Sequence, residues 1–245
     1  LAALAAADGW LNLTDRVEIA AGNRYAVGRG EENGLRISAG PEHLGILTLA
    51  ADGQAHLTTP AGQDLPFTPM PGAPPRLAVD NLILEIHSAE GVPALRVRRI
   101  DHPRRFRDPG IRNFPDAPDW VIRARWLPLS APQEAQIDLV GGRREVVRLT
   151  HQAVFQHEGQ TFTLIPTHWK SGAPMFVLRD LTSAGETYPA ARFLIGEDMG
   201  EDAITLDFNK AHTPPCGFTE FAVCPLPPRE NILPFRIEAG ELRPH

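Results

Sequence analysis

The sequence predicts a mostly β protein, and three observations carry that expectation. Twenty-four prolines and 21 glycines punctuate 245 residues, a density that favours turns and short strands over long helices. Short alternating or β-branched runs recur between Gly, Asn and Asp, the spacing of antiparallel strands. No stretch sustains apolar positions at helical period. The expected layout is an antiparallel β-sandwich-like N-terminal domain over residues 1–100, packed on a C-terminal β-sandwich or partly open β-barrel over 114–245. An Arg/Pro-rich connection, 101–113, joins them, and a proline-rich wrap closes the second domain.

The elements follow in order. Leu1-Ala-Ala-Leu-Ala-Ala-Ala reads as the tail of a short helix and not as the end of a signal peptide, because no basic segment precedes it. Val17–Ile19, Arg24–Val27, Leu35–Ile37 and Leu44–Leu49 are the first strands, and Asp52-Gly53 is a hairpin turn pair. Leu65 to Pro75 reads as a Pro-rich loop, followed by two strands around Asp80-Asn81. Seven arginines, at 96, 98, 99, 104, 105, 107 and 112, mark the boundary region. Such a run reads as a solvated linker, with some of its arginines turned back toward an anion as the rival reading. Strands resume at Trp120–Trp126, Ala135–Val140, Arg144–Leu149, His151–Phe155, Thr161–Ile165 and Met175–Asp180, with turns at Gly141-Gly142 and Glu158-Gly159.

Composition removes several function classes. A net charge of −6 and a pI near 5.8 leave no general basic face for nucleic acid. No apolar run is long enough to span a bilayer. The expectation is therefore a cytoplasmic protein whose partner is a small molecule. There is no Gly-x-Ser-x-Gly elbow, P-loop or His-Glu-x-x-His, and His157-Glu158 runs straight into Gly159.

The chemistry-bearing residues gather in the last quarter. In Ile204–Asn209, strand alternation sends Ile204, Leu206 and Phe208 to one face and Thr205, Asp207 and Asn209 to the other. Arg192 opens the next-to-last strand, where it can pair bidentately with Asp207 or Asp180. That pairing serves either to fix two strand ends or to orient a ligand's carboxylate or phosphate. Asp180 and Thr182 suit a loop that binds its own backbone. Glu186 is a candidate general base, and Tyr188 a donor to a ligand or a cap on the core. Cys216 and Cys224 leave three readings open: a loop disulfide, two buried thiols, or a zinc site with His212 and Asp207. His212 is the local base that could activate Cys216 as a nucleophile. The prolines at 214, 215, 225, 227 and 228 exclude central-strand pairing for this segment. It should wrap the domain with Phe218, Phe221, Val223 and Leu226 pinned down, and with Asn231 bonded to unladdered backbone.

Those words also carry a resemblance. Asp180-Leu-Thr182, Glu186-Thr-Tyr188, Arg192-Phe-Leu194, Asp207-Phe-Asn209, Pro214-Pro-Cys216, Cys224-Pro-Leu-Pro-Pro228, Asn231 and Ala239-Gly-Glu241 resemble the C-terminal block of the bacterial and archaeal domain of unknown function 1684. Gly9-Trp-Leu11 and Phe114-Pro115 extend the likeness. His212 stands where that family has Tyr or Phe, Thr213 where it has Asn, Gly217 where it has Ala, and Pro189 where it has a small residue. The resemblance implies no settled activity. In the first half, Tyr25-Ala-Val-Gly28-Arg29, Asn33–Ile37, His43 and Leu47-Thr-Leu49 resemble a forkhead-associated β-sandwich, but the Ser-x-x-His pair that meets a phosphothreonine is missing.

Taken together, the expected site is a pocket for a small acidic or polar molecule. Its acid/base candidates, of a hydrolase-like kind, are Asp180, Glu186, Asp207 and Cys216, and its binding groups are Tyr188, Arg192, Asn209, His212 and Asn231. The alternative is a non-catalytic structural or protein-interaction module in which the same groups lock the terminal loops. No cofactor is expected beyond the zinc alternative at Cys216, Cys224 and His212.

Overall fold

The computed structural model describes residues 2–89 and 91–244. It is 48% strand and 10% helical, which settles the fold class as mostly antiparallel β. Among the described residues no helix is long and apolar enough to cross a membrane. The chain forms two compact units, Leu1–Asp108 and Pro109–His245.

The first unit begins with one helical turn, α1 (Ala2–Ala5), and continues through ten strands. They are β1 (Leu13–Glu18), β2 (Asn23–Gly28), β3 (Leu35–Arg36), β4 (Gly45–Leu49), β5 (Ala55–Thr58), β6 (Asp64–Pro66), β7 (Thr68–Met70), β8 (Ala73–Val79), β9 (Leu82–Ala89) and β10 (Val92–Arg99). They form two sheets, ordered β1-β10-β9-β8-β7 and β3-β2-β4-β5-β6. Leu47, Leu57, Leu84, Leu95 and Val97, all buried, fill the space between them. The Pro-rich stretch expected as a loop is instead the point where the chain changes sheets. β6 and β7 are edge strands, where proline's missing N–H is tolerated, and Phe67 between them is 5% exposed and packs into the core. The arginine run divides too. Arg96, Arg98 and Arg99 belong to β10, and Arg105, in the following 3-10 turn, donates to the Ala5 carbonyl at 2.8 Å.

The second unit has seven strands: β11 (Val121–Asp138), β12 (Arg144–His157), β13 (Gln160–Leu164), β14 (His168–Lys170), β15 (Ala173–Leu178), β16 (Arg192–Ile195) and β17 (Ala203–Asp207). The β11–β12 hairpin turns at Gly141 and Gly142, both at positive φ, a conformation open to glycine without strain. Its register shifts between Pro128 and Gln133, and a shift of this kind bends a strand and increases its twist. The sheet β13-β12-β11-β17 faces the sheet β14-β15-β16. Phe176, Leu178, Leu194, Ile204, Leu206 and Phe208 pack between them. After β17 the chain makes only isolated bridges and short 3-10 turns. Irregular backbone of this length is stable only if its N–H and C=O groups find partners elsewhere.

Candidate functional site

The partners that the terminal backbone finds are the residues picked out from the sequence. Asp180 caps the 3-10 turn Leu181–Ala184 by accepting from the Thr182 N–H and hydroxyl, and it also takes the Ile237 N–H at 2.7 Å. Arg192, at the start of β16, gives Nη2 to Asp180 Oδ1 at 3.0 Å and to the Ile237 carbonyl at 3.2 Å, and Nη1 to the Ala239 carbonyl. Both side chains of this pair are only 1% exposed. Burial pulls the Arg192 guanidinium below its ordinary pKa, and the Asp180 charge opposes that. The Thr182 hydroxyl also meets the Thr187 hydroxyl at 3.0 Å. One carboxylate and one guanidinium thus tie the β15–β16 connection to main chain forty-five or more residues later.

Asn231 is fully buried and works as a piece of replacement backbone. Its Oδ1 accepts from the Ile165 N–H at 2.8 Å, and its Nδ2 donates to the carbonyls of Ile165 at 2.9 Å and Val177 at 2.8 Å. Asn209 does the same for the segment leading into β11, exchanging two bonds with Ala117 at 2.9 and 3.0 Å while Asp207 Oδ1 holds its amide. Strand alternation puts Ile204, Leu206 and Phe208 inward, but β17 ends at Asp207, and Asn209 stands in the 3-10 turn that follows. Ala239-Gly240-Glu241 completes the set. The Ala239 carbonyl receives Arg192, Gly240 turns at φ +78°, and Glu241 Oε2 accepts from the Thr213 N–H at 2.8 Å.

The remaining candidates are dispersed. Glu186 lies at the surface against Arg236, 2.6 Å away. The Tyr188 hydroxyl donates to the Cys216 carbonyl at 3.0 Å, and burial together with the neighbouring Cys216 raises its pKa, so the phenol stays neutral. Cys216 and Cys224 are free thiols, and the Cys216 N–H points at Cys224 Sγ from 3.3 Å. The hydrogen bond from Cys224 lowers the Cys216 pKa, against burial. His212 sits edge-on to Phe193, with ring centroids 6.1 Å apart, and burial lowers its pKa. Among the described residues no three His, Cys, Asp or Glu side chains converge to hold a metal ion. Of the wrap, Phe218 and Cys224 are buried, while Phe221, Val223 and Leu226 are half-buried.

Among the described residues, the open hollows lined by polar groups include the following two. One, of about 420 Å³, joins Asp116, Ala117, Pro118, Val121, Asp207, Asn209 and Lys210; Lys210 there is paired with Glu197 and Asp207. The other, in the first unit, holds Arg29, Arg36 and Ser38 with Asp15, Glu31 and Glu42, and Arg29 is closed by Glu42 at 2.7 Å. The sequence pointed Asn231 at unladdered backbone, as found, but sequence reasoning missed that Arg192 also bonds the Ile237 and Ala239 carbonyls and Asn209 the Ala117 main chain. Main-chain groups leave no residue-type signal. Only the many donor and acceptor side chains beside an unpairable Pro-rich segment hinted at them.

No curated protein matches the chain. Among solved structures, the solution NMR structure of an uncharacterised protein from Haloarcula marismortui is similar at 26% identity, over 54% of this chain and 75% of that one, with a TM-score of 0.43. A family profile described as "Protein of unknown function (DUF1684)" matches residues 106–242, which takes in every clamp described above. The chain belongs to that family.

Proposed function

We propose that the chain is a non-catalytic interaction module, and that the polar residues of its second unit serve to hold the terminal segments on the two sheets. One observation carries this reading: Arg192 and Asp180 are buried and bonded to each other and to main chain, so neither presents its charge to a ligand. This reading places the protein in the cytoplasm, where thiols such as Cys216 and Cys224 stay reduced. A second reading, capture of a small polar molecule, is supported at the hollow beside Lys210, where Val121 is 48% exposed next to Asp207 and Asn209.

A thermal-shift screen of small acidic and polar metabolites on the wild type, Arg192→Ala and Lys210→Ala separates the two. For a module, Arg192→Ala lowers the melting temperature and no metabolite shifts any variant. A metabolite that stabilises the wild type but not Lys210→Ala would establish the second reading. One whose effect depends on Arg192 in an otherwise folded variant would overturn the first.

A further inference from the structure

The outer face of the sheet β1-β10-β9-β8 carries a rung of charge. Cross-strand register aligns Arg16, Arg96, Glu85 and Arg76 side by side on four neighbouring strands. Glu85 is only 1% exposed, and both of its oxygens are taken: Oε1 by Arg96 at 3.2 Å, Oε2 by Arg98 at 2.9 Å and Arg76 at 3.1 Å. Asp8 meets Arg76 at 2.8 Å, and Trp10 lies over Arg96 and Arg98, 5.2 and 5.8 Å from ring centroid to guanidinium carbon. Arg16 is the member the carboxylates do not saturate. Its Nη1 reaches Glu18 at 3.1 Å, and its side chain is nine-tenths buried. Its Nε and Nη2 find no hydrogen-bond partner among the described residues, and neither do Arg96 Nε and His87 Nδ1.

Those atoms belong to one neighbourhood. The rung next to the charged one is Glu18, Ala94 and His87, in that order across β1, β10 and β9. Ala94 is the only short side chain of the three and is itself covered, 0% exposed, with Arg16 and Arg96 on the adjoining rung. Burial, and after it the charges of Arg96, Arg16 and Arg98, hold the His87 pKa near 4. Buried N–H groups without acceptors cost about 1–3 kcal/mol each, and four guanidiniums here face three carboxylates. The unused edge of Arg16 is also specific in shape. Nε–H and Nη2–H are the parallel pair that grips two oxygens of one anion side-on.

We propose that this face binds a small oxyanion, a carboxylate or a phosphate, gripped side-on by Arg16 Nε and Nη2, with Arg96 Nε and His87 Nδ1 as further donors. The ligand enters as Glu18 and His87, the two side chains of that rung that reach solvent, move apart. This site is independent of the reading given for the second unit, since every residue in it belongs to the first.

The probes are sodium phosphate and sodium malonate, each compared with sodium chloride at matched ionic strength. Expected are a saturable rise in melting temperature of several degrees with one or both anions, its loss in Arg16→Gln and its retention in Arg29→Gln. A response to phosphate alone or to malonate alone names the ligand class. If Arg16→Gln does not fold, the wild type supplies the readout: in arginine Nε–H spectra the Arg16 and Arg96 signals move with the anion and the Arg29 signal stays. Equal effects of chloride and the oxyanions would overturn the proposal, as would a wild-type response in folded Arg16→Gln, or shifts confined to other arginines.

Discussion

Asn231→Ala removes three hydrogen bonds and adds no new contact. It strands the Ile165 N–H and C=O and the Val177 C=O in a site that is 0% exposed. Each bond has a net worth of about 0.5–1.5 kcal/mol, and an unsatisfied buried group costs about 1–3. With partial relaxation the total is about 3–5 kcal/mol. A unit of roughly 140 residues loses about 0.3 kcal/mol of stability per degree near its midpoint, so the expected fall in Tm is about 10–17 °C by calorimetry. Asn231→Asp sharpens the test. The acid can still accept from the Ile165 N–H, but its second oxygen would face two carbonyls unless protonated. Its pKa is therefore raised above the unfolded value of about 3.9. For a raised pKa, the stability is fully present below the unfolded value and is lost as pH rises through the folded one. Asn231→Asp should thus lie closest to the wild type near pH 4 and fall progressively behind it toward pH 8. A Tm loss under about 3 °C for Asn231→Ala, or a pH-independent gap for Asn231→Asp, would refute the backbone-replacement argument.

Three further outcomes are expected. Gly240→Ala should cost at least about 2 kcal/mol in urea denaturation, because φ is +78° and a Cβ would come 2.4 Å from the Ala211 carbonyl oxygen; a neutral effect would contradict that geometry. His87, held near pKa 4 first by burial and then by Arg96, is neutral when folded. Its stability contribution is therefore present above about pH 6.5 and lost as pH falls toward 4, by about 1–2 kcal/mol after allowing for its partial exposure. His87→Gln should flatten that slope, and an unchanged slope would exclude His87 as its source. Mild oxidation with diamide should join Cys216 and Cys224 within one chain, read as the loss of both free thiols without a dimer on a non-reducing gel; two thiols still titratable would argue against their approach.

The strands were largely legible because their signals are local. Asp-Gly and Gly-Gly turn pairs, alternating runs and the absence of helical period all lie within a few residues of what they specify. The crossing at Phe67 was not legible, since proline reads as loop unless the strand is known to be an edge. In the candidate site, the pairing of Arg192 with Asp180 and the bonding of Asn231 to backbone were both readable as options. What the sequence could not supply was the partner carbonyls of Ile237 and Ala239. It also could not show that Arg16, Arg96 and Glu85, spread over eighty positions, stand on one rung. Register across non-consecutive strands is a property of the fold and is written in no single stretch.

The Asp180–Arg192 clamp has a consequence for biosynthesis. Its main-chain partners, Ile237 and Ala239, are translated long after the two charges they bind. While the ribosome is still making that stretch, a nascent second unit would have to bury a carboxylate and a guanidinium with half their partners absent, so it stays open. The first unit, whose strands are all in place by Arg99, can condense as it emerges. A messenger truncated shortly before Ile237 would therefore yield a folded first unit trailing an unfolded second one, readily cleared by proteases. The last words of the family's signature thus double as a completeness check on each newly made copy.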